Sequence, residues 1–391
     1  MNDEMEGRSV RRIYLDHAAT SLPKAPGVAE AMTRALELPS PGRGNTARAA
    51  ESAALLARCR SAVNRLIGGA SPDRIVFTAG GTDALNLALF GLLKPGDHAV
   101  VGDLEHTSVT RPLSALRGDG GITSMLECDE HGFYRPEDLD EFLSVPPTAG
   151  LVALSHGSNV AGTVQPVAEL AAVCREHGVP FLLDACQTAG HVPIAVVEWG
   201  VDLLATGAHK GLLGPAGIGV LYVGERAEPL LRNTRLGGTG GGGGDAMPET
   251  LPHRLEPGTP NLPGVAGLLA AVEWIEREGV NALHARSIER TSRLIDRLAA
   301  FPDVRLLGTP DPGRRCGLVT VALLGWEPSE AAAVLDATFG VECRAGLHCA
   351  PGAHARFNTD RLGGGVRFSV GPFTTETEID AAADAVAAIL S

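Results

Sequence analysis

Short apolar runs alternate with amphipathic stretches along most of this 391-residue chain, and that alternation constrains its fold more than any other feature. Ile75–Thr78, His98–Gly102, Leu151–Ser155 and Phe181–Asp184, with 203–206 and 217–223, read as strands of about five residues. Between them, residues 48–66, 82–93, 108–116, 136–143 and 167–177 carry a helical period. Continuously apolar strands interleaved with helices belong to a mostly parallel sheet covered on both faces. The expected fold class is therefore α/β.

The alternation breaks at 237–244, Gly-Gly-Thr-Gly-Gly-Gly-Gly-Gly, followed by Pro248, Pro252, Pro257, Pro260 and Pro263. This stretch reads as a long loop crossing between domains. Beyond it, helices are expected at 263–277 and 280–300, a strand at 317–323, a helix at 328–338, strands near Val341 and Val366, and a closing helix from Glu376. The expectation is a large α/β domain over 13–262 and a smaller α+β domain over 263–391, with residues 1–25 folded onto the smaller one. No internal repeat is visible.

Hydrophobic residues make up 44% and charged residues 20%, as in globular proteins, and no unbroken run of about 18 apolar residues could span a bilayer. The first twelve residues carry Asp3, Glu4, Glu6, Arg8, Arg11 and Arg12 without an apolar core, so no secretory signal is expected and the location expected is cytoplasmic. A net charge of −13 with scattered arginines argues against nucleic acid and membrane surfaces as partners. The seven cysteines form no Cys-x-x-Cys, which suggests neither a disulfide framework nor a metal site. Of the 33 basic residues only Lys24, Lys94 and Lys210 are lysines, so a reaction needing a lysine amine has three candidates.

Gly238-x-Gly240-x-x-Gly243 matches a dinucleotide fingerprint only because nearly every residue there is glycine, and it follows no strand. Thr78-Ala79-Gly80-Gly81-Thr82-Asp83 does lie between a strand and a helix, where backbone N–H groups, the helix dipole and the Thr82 hydroxyl suit a phosphate; an ordinary turn capped by Thr82 is the plainer reading. Asp184 ends a strand, where it could hold a ring N–H or simply form a turn. Lys24, before Ala25-Pro26, and Lys94, in a Lys-Pro-Gly-Asp turn, read as solvated surface lysines. Lys210 follows a strand among glycines and apolar residues, where desolvation favours the free amine that imine formation needs. A phosphate seat, a ring-nitrogen partner and an imine-forming lysine are together the parts of a pyridoxal 5'-phosphate site.

The sequence resembles the cysteine desulfurase and selenocysteine lyase family of the class V aminotransferase fold. The resemblance rests on Tyr14-Leu15-Asp16-His17-Ala18-Ala19-Thr20, Leu104-Glu105-His106-Thr107-Ser108, Ser158-Asn159-Val160-x-Gly162-Thr163, Asp184-Ala185-Cys186-Gln187-Thr188, Ala208-His209-Lys210, Glu256-Pro257-Gly258-Thr259-Pro260-Asn261, Arg344-Ala345-Gly346-Leu347-His348-Cys349-Ala350 and Arg367-Phe368-Ser369. It spans almost the whole chain. It implies fold type I, with a mostly parallel seven-stranded sheet, and a homodimer. It implies that Lys210 binds the cofactor as a Schiff base, that Asp184 pairs with the pyridinium, that His106 stacks on the ring, and that Asn159 and Gln187 touch its phenolic oxygen. Thr82, the Gly81 backbone and His209 would hold the phosphate, with Thr259 reaching in from the second subunit. Arg367 would clamp the substrate carboxylate, with Asn159 and Arg344 near the substrate.

The same resemblance makes Cys349 the persulfide cysteine, on a short loop like that of the second group of desulfurases. Gly346, Pro351 and Gly352 mark that loop, and Arg344 and His348 could favour a thiolate. Cys59, Cys128, Cys174, Cys316 and Cys343 read as core packing. The implied reaction turns L-cysteine into L-alanine and leaves sulfur on Cys349 for a protein acceptor. A selenocysteine lyase, carbon–sulfur lyase, epimerase or aminotransferase that does not need Cys349 is the alternative, and a silent binding scaffold a more distant one. The chain departs from the family pattern at Gly207, where Ser or Thr is usual and Thr206 stands one place early. It departs again at Arg43-Gly44-Asn45-Thr46, where a histidine commonly follows Arg-Gly, at Cys186 in place of Ala, and in the five-glycine run.

Overall fold

The computed structural model describes residues 12–41, 46–238 and 245–391. Arg43, Gly44 and Asn45, and all of the five-glycine run, lie outside the described residues.

Seven strands form the larger sheet, in the order Ile75–Thr78, Gly219–Val223, Leu203–Gly207, Phe181–Asp184, Leu151–Ser155, His98–Gly102 and Ile122–Leu126. Gly219–Val223 pairs antiparallel with both of its neighbours; every other pairing in the sheet is parallel. The buried strands explain the continuous apolar runs. Phe181, Leu183, Val152 and Leu204 enter the core on one face, while Leu182, Ala153, Leu203 and Ala205 enter the core on the other. Successive side chains of a strand point to opposite faces, so a strand covered on both sides has no polar position to spare. Each fully buried leucine contributes roughly 1.5–3 kcal/mol.

Several strands have no counterpart in the sequence expectations, among them the two-residue strand Ile13–Tyr14. Ile122–Leu126 is an edge strand whose Ile122 and Met125 are exposed, so its Thr123 and Ser124 break the apolar signal. Val304–Leu306 is a three-residue edge strand of the smaller sheet.

That smaller sheet is antiparallel, in the order Arg344–Gly346, Gly365–Ser369, Leu318–Leu323 and Val304–Leu306. Val280–Ala299 and Glu376–Leu390 pack their apolar faces into its core. Near the N-terminus, Ile13–Tyr14 pairs in parallel with Val341–Glu342, and Asp16 bridges to Ser369. The chain then crosses over: the Ser21 N–H donates to the His209 carbonyl at 2.8 Å and the Ala25 N–H to the Leu213 carbonyl at 3.0 Å. Residues 13–18 thus lie on the smaller sheet and residues 21–25 against the larger one. The helix Leu262–Glu278 buries Val265, Leu268, Val272 and Ile275 in the same cluster as Phe181 and Leu183, so the core of the larger sheet runs past residue 262.

Candidate active site

The parallel strands deliver side chains to one edge of the sheet, where an α/β fold binds ligands. Gly81, Thr82, His106, Asn159, Asp184, Gln187, His209 and Lys210 all line a single cleft there, enclosing about 520 Å3 with open solvent at its mouth included. They come from five separate strand ends. The turn bearing Lys210 is set by a close approach of two glycines. A Cβ on Gly190, whose φ is +97°, would stand 2.4 Å from the Gly211 carbonyl oxygen.

At one end of the cleft the helix Gly81–Leu92 begins, and a Cβ on Gly81 would stand 2.4 Å from Cys186 Sγ. The N-terminal N–H groups of this helix are a ready anion site. Thr82 Oγ1 lies 2.8 Å from Ser108 Oγ, which lies 2.9 Å from His106 Nδ1. The Ser108 N–H also donates to Nδ1 at 3.0 Å, so that nitrogen is the acceptor and Nε2 carries the ring proton. Burial and then the charge of Lys210 lower the His106 pKa, which keeps the imidazole neutral. His209 is pushed down to about 4, chiefly by burial.

Ser108 was not among the expected site residues, although it closes the Leu104–Ser108 motif. Its hydroxyl joins that of Thr82 at the end of the cleft where Gly207 lacks one. Thr206 does not substitute for it: its Oγ1 is buried against the Ala185 and Gly207 carbonyls at 3.4 Å, away from the cleft lining.

Asp184 is buried, and its Oδ1 accepts the Cys186 N–H at 2.9 Å. The Cys186 thiol lies in the cleft wall, where burial and then the Asp184 charge push its pKa far up, so it stays protonated. Ser155, paired across the sheet with Asp184, donates its N–H and hydroxyl to Glu105 at 2.9 and 2.7 Å. Burial pushes Glu105 up to about 8. Neither Glu105 nor Ser155 stood out as a site residue, because only the sheet register brings them to Asp184.

Lys94 is exposed, as expected, but Lys24 is not a solvated surface lysine. It is half-buried, and its Nζ donates to the Thr20 and Ser21 hydroxyls and, at 3.0 Å, to the His209 carbonyl. Burial lowers its pKa. The misreading has a plain cause: the carbonyl that fixes it lies 185 residues away in sequence.

Arg367 is buried; it donates to the Asn159 carbonyl and to Asp16, each at 3.0 Å, and its Nε has no partner. Asn159 donates its side-chain amide to the His348 carbonyl at 2.6 Å, and the Thr107 N–H donates to the Cys349 carbonyl at 2.8 Å. The Cys349 loop is thereby tied to two walls of the cleft. Cys349 itself is exposed, with Sγ 3.9 Å from Arg344 Nη2. Its φ of 57° and that of His348, 50°, are left-handed values that cost roughly 1–2 kcal/mol per residue outside glycine. Cys59, Cys128, Cys174 and Cys316 are buried, and Cys343 is half-buried with its thiol pushed up to about 12. Thr259 does not line the Lys210 cleft of its own chain; it lines a separate cavity with Ala79 and Arg235.

The donor set suits a phosphorylated pyridine aldehyde. It has free helix N–H groups and two hydroxyls at one end, a carboxylate with one oxygen beyond its backbone contact, a neutral imidazole and a lysine. A mostly parallel sheet with these groups at its carboxyl edge is the architecture of fold-type-I enzymes. The Aminotransferase class-V model matches residues 13–382, and the chain belongs to that family. Within it, the chain is 32% identical to a probable cysteine desulfurase of Methanothermobacter thermautotrophicus, over 94% of this chain and 92% of that one. It is 33% identical to a probable cysteine desulfurase of Halalkalibacterium halodurans, over 90% and 86%. The fold superposes on the apo cysteine desulfurase of Thermococcus onnurineus with a TM-score of 0.89, at 30% identity over 97% of this chain and 94% of that one.

Proposed function

We propose that this protein is a pyridoxal 5'-phosphate-dependent cysteine desulfurase that converts L-cysteine to L-alanine and holds the sulfur as a persulfide on Cys349. The observation that carries this reading is the seating of the Cys349 loop: Asn159, a wall of the Lys210 cleft, donates to the carbonyl of the residue before the cysteine. Lys210, Asp184, His106, Gln187, Thr82, His209 and the Gly81 backbone would hold the cofactor, joined by Ser108 at the phosphate end. Bound there, the cofactor supplies an electron sink that acidifies the Cα–H of an amino acid.

Around that sink each side chain has a task. Arg367 would bind the substrate carboxylate, its fork already oriented by Asp16 and the Asn159 carbonyl. Lys210 Nζ, as a free amine, would take the Cα proton. Asp184 would hold a proton at the ring nitrogen, and the neutral His106 would cover the ring face without adding charge. Cys349 Sγ, 3.9 Å from Arg344 Nη2, would attack the substrate sulfur, forming the S–S bond as the Cβ–S bond breaks. A protein acceptor would then collect the sulfur.

A second reading, a lyase, epimerase or aminotransferase acting without Cys349, draws on one observation: Cys349 is exposed and does not line the cleft. Measuring alanine and enzyme-bound sulfane sulfur after a single turnover of L-cysteine separates the two, since equal amounts of both support desulfuration, whereas alanine without bound sulfur, or no alanine, excludes it. L-selenocysteine is proposed as a further substrate. We also propose a cytoplasmic homodimer in which Thr259 serves the partner's cleft; among the described residues no helix is long and apolar enough to cross a membrane. The division between domains is proposed at Gly279, after the helix that shares the larger sheet's core.

A further inference from the structure

Behind the Cys349 loop lies a row of side chains that neither cofactor binding nor the substrate contacts use. Thr359, His354 and His348 are all buried. Thr359 Oγ1 is 2.8 Å from His354 Nδ1, His354 Nε2 is 3.0 Å from His348 Nδ1, and His348 Nε2 is 3.1 Å from the Arg344 carbonyl oxygen. A carbonyl oxygen can only accept, so His348 Nε2 carries a proton. With neutral rings the rest of the row follows. His354 Nε2–H donates to His348 Nδ1, and the Thr359 hydroxyl donates to His354 Nδ1. Reversing the polarity would set two acceptors against each other at Arg344, and a charged ring would have to survive burial that pushes the two histidines down to about 3 and about 4.

The row ends where the backbone is least relaxed, at the consecutive left-handed residues His348 and Cys349. On the cleft side this pair is held through its carbonyls by Asn159 and Thr107; on the other side it is held through the His348 ring and by the long Arg344 Nη2 contact to Cys349 Sγ, among the hydrogen bonds described. We propose that His354 and Thr359 are positioning residues for sulfur transfer: they lock the His348 ring, and through it the left-handed pair that sets where the Cys349 thiol stands beside Arg344 and Thr107. The consequence for sulfur transfer rests on the desulfurase reading, whereas the positioning does not.

Thr359→Val removes the terminal donor at nearly constant volume, His354→Leu removes the middle link, and Thr359→Ser restores the donor. In the holoenzymes, visible cofactor absorption and solvent exchange of the L-cysteine Cα proton are expected to stay within about twofold of wild type. Persulfide formation on Cys349 is expected to fall about tenfold in Thr359→Val and about a hundredfold in His354→Leu, with Thr359→Ser close to wild type, since misplacing a reacting group by about 1 Å costs on that order. Alkylation of Cys349 by iodoacetamide without substrate should change in the same rank order. Unchanged alkylation and persulfide rates in Thr359→Val and in a folded His354→Leu would overturn the proposal. So would loss of Cα exchange in step with persulfide formation, the sign of general damage. If the wild-type protein forms no persulfide, the desulfurase reading fails, and alkylation alone decides: a shift in Thr359→Val reversed by Thr359→Ser supports the positioning role, and no shift overturns it.

Discussion

The ammonium of Lys24 and the carbonyl of His209 stand 3.0 Å apart, so two of the three lysines of this chain meet around the peptide that precedes Lys210. Proximity to the site is therefore not what distinguishes them. Lys24 already spends its protons on Thr20, Ser21 and His209, while Lys210 lines the cleft. Borohydride trapping with pyridoxal phosphate should label Lys210 alone, and Lys210→Ala should lose the visible absorption. Lys24→Ala should keep it and lose about 1 kcal/mol of stability. Label on Lys24 in the wild-type protein would reverse the assignment.

Asp184→Asn should fold and bind the cofactor but slow Cα-proton exchange by roughly a hundredfold, because an amide cannot balance a ring cation. Exchange at the wild-type rate in that variant would remove the proposed role.

Cys349→Ala should retain the cofactor and Cα exchange and lose persulfide formation from L-cysteine. Selenocysteine, whose carbon–selenium bond is weaker, should still be turned over. Cys343→Ala, six residues earlier and half-buried, should behave as wild type. Alanine released from L-cysteine by Cys349→Ala at an undiminished rate would favour the reading of a lyase that cleaves the carbon–sulfur bond without Cys349.

Gly207→Ser should tighten pyridoxal phosphate binding two- to tenfold, the worth of one added hydrogen bond of about 0.5–1.5 kcal/mol. A Cβ there comes no closer than 3.3 Å to the Gly81 nitrogen, so a hydroxyl can be carried into the phosphate end with little displacement. Titration of the apoprotein by fluorescence measures it, and weaker binding would show that Ser108 and Thr82 already saturate that end.

Glu105 titrates near 8 in the folded chain against an ordinary 4.5. The folded state thus binds this proton more tightly than the unfolded state, and the stability this adds is complete below pH 4.5 and lost as pH rises through about 8. Glu105→Gln, which mimics the protonated form, should therefore match wild type near pH 4.5 and gain on it steadily toward pH 8.5. Melting curves across that range test this; parallel profiles for the two proteins would contradict it.

Much of this architecture was legible because a strand buried on both faces leaves no room for polar residues: Phe181–Asp184 is apolar until its last position, and that position lines the cleft. Ile122–Leu126 was hidden because an edge strand half in solvent needs no such purity. Lys210 could be found by elimination, as glycines and strand ends surround it and few lysines compete. Ser108, Glu105 and Lys24 could not, since each owes its place to a partner far along the chain: Thr82, Ser155 and His209. The His348–His354–Thr359 row was equally invisible, for nothing in the spacing of two histidines announces that their rings touch.

The reversed strand Gly219–Val223 gives Lys210 and Cys349, the two groups proposed to react, different mechanical footing. Because it runs back along Leu203–Gly207, the segment bearing Lys210 is an arch with both feet in the sheet, closed by the Ala208 N–H to the Ile218 carbonyl at 3.1 Å and by the Gly214 N–H to the Ala208 carbonyl at 2.8 Å. Opening such an arch means parting two inner strands of the sheet, so the amine shares the sheet's resistance to unfolding. The thiol is exposed beside an edge strand of the smaller sheet, its loop tied to the cleft by the Asn159 and Thr107 hydrogen bonds rather than by a strand ladder, and it can be released by smaller excursions. Gentle heating or dilute denaturant would then silence sulfur chemistry while the protein keeps its colour.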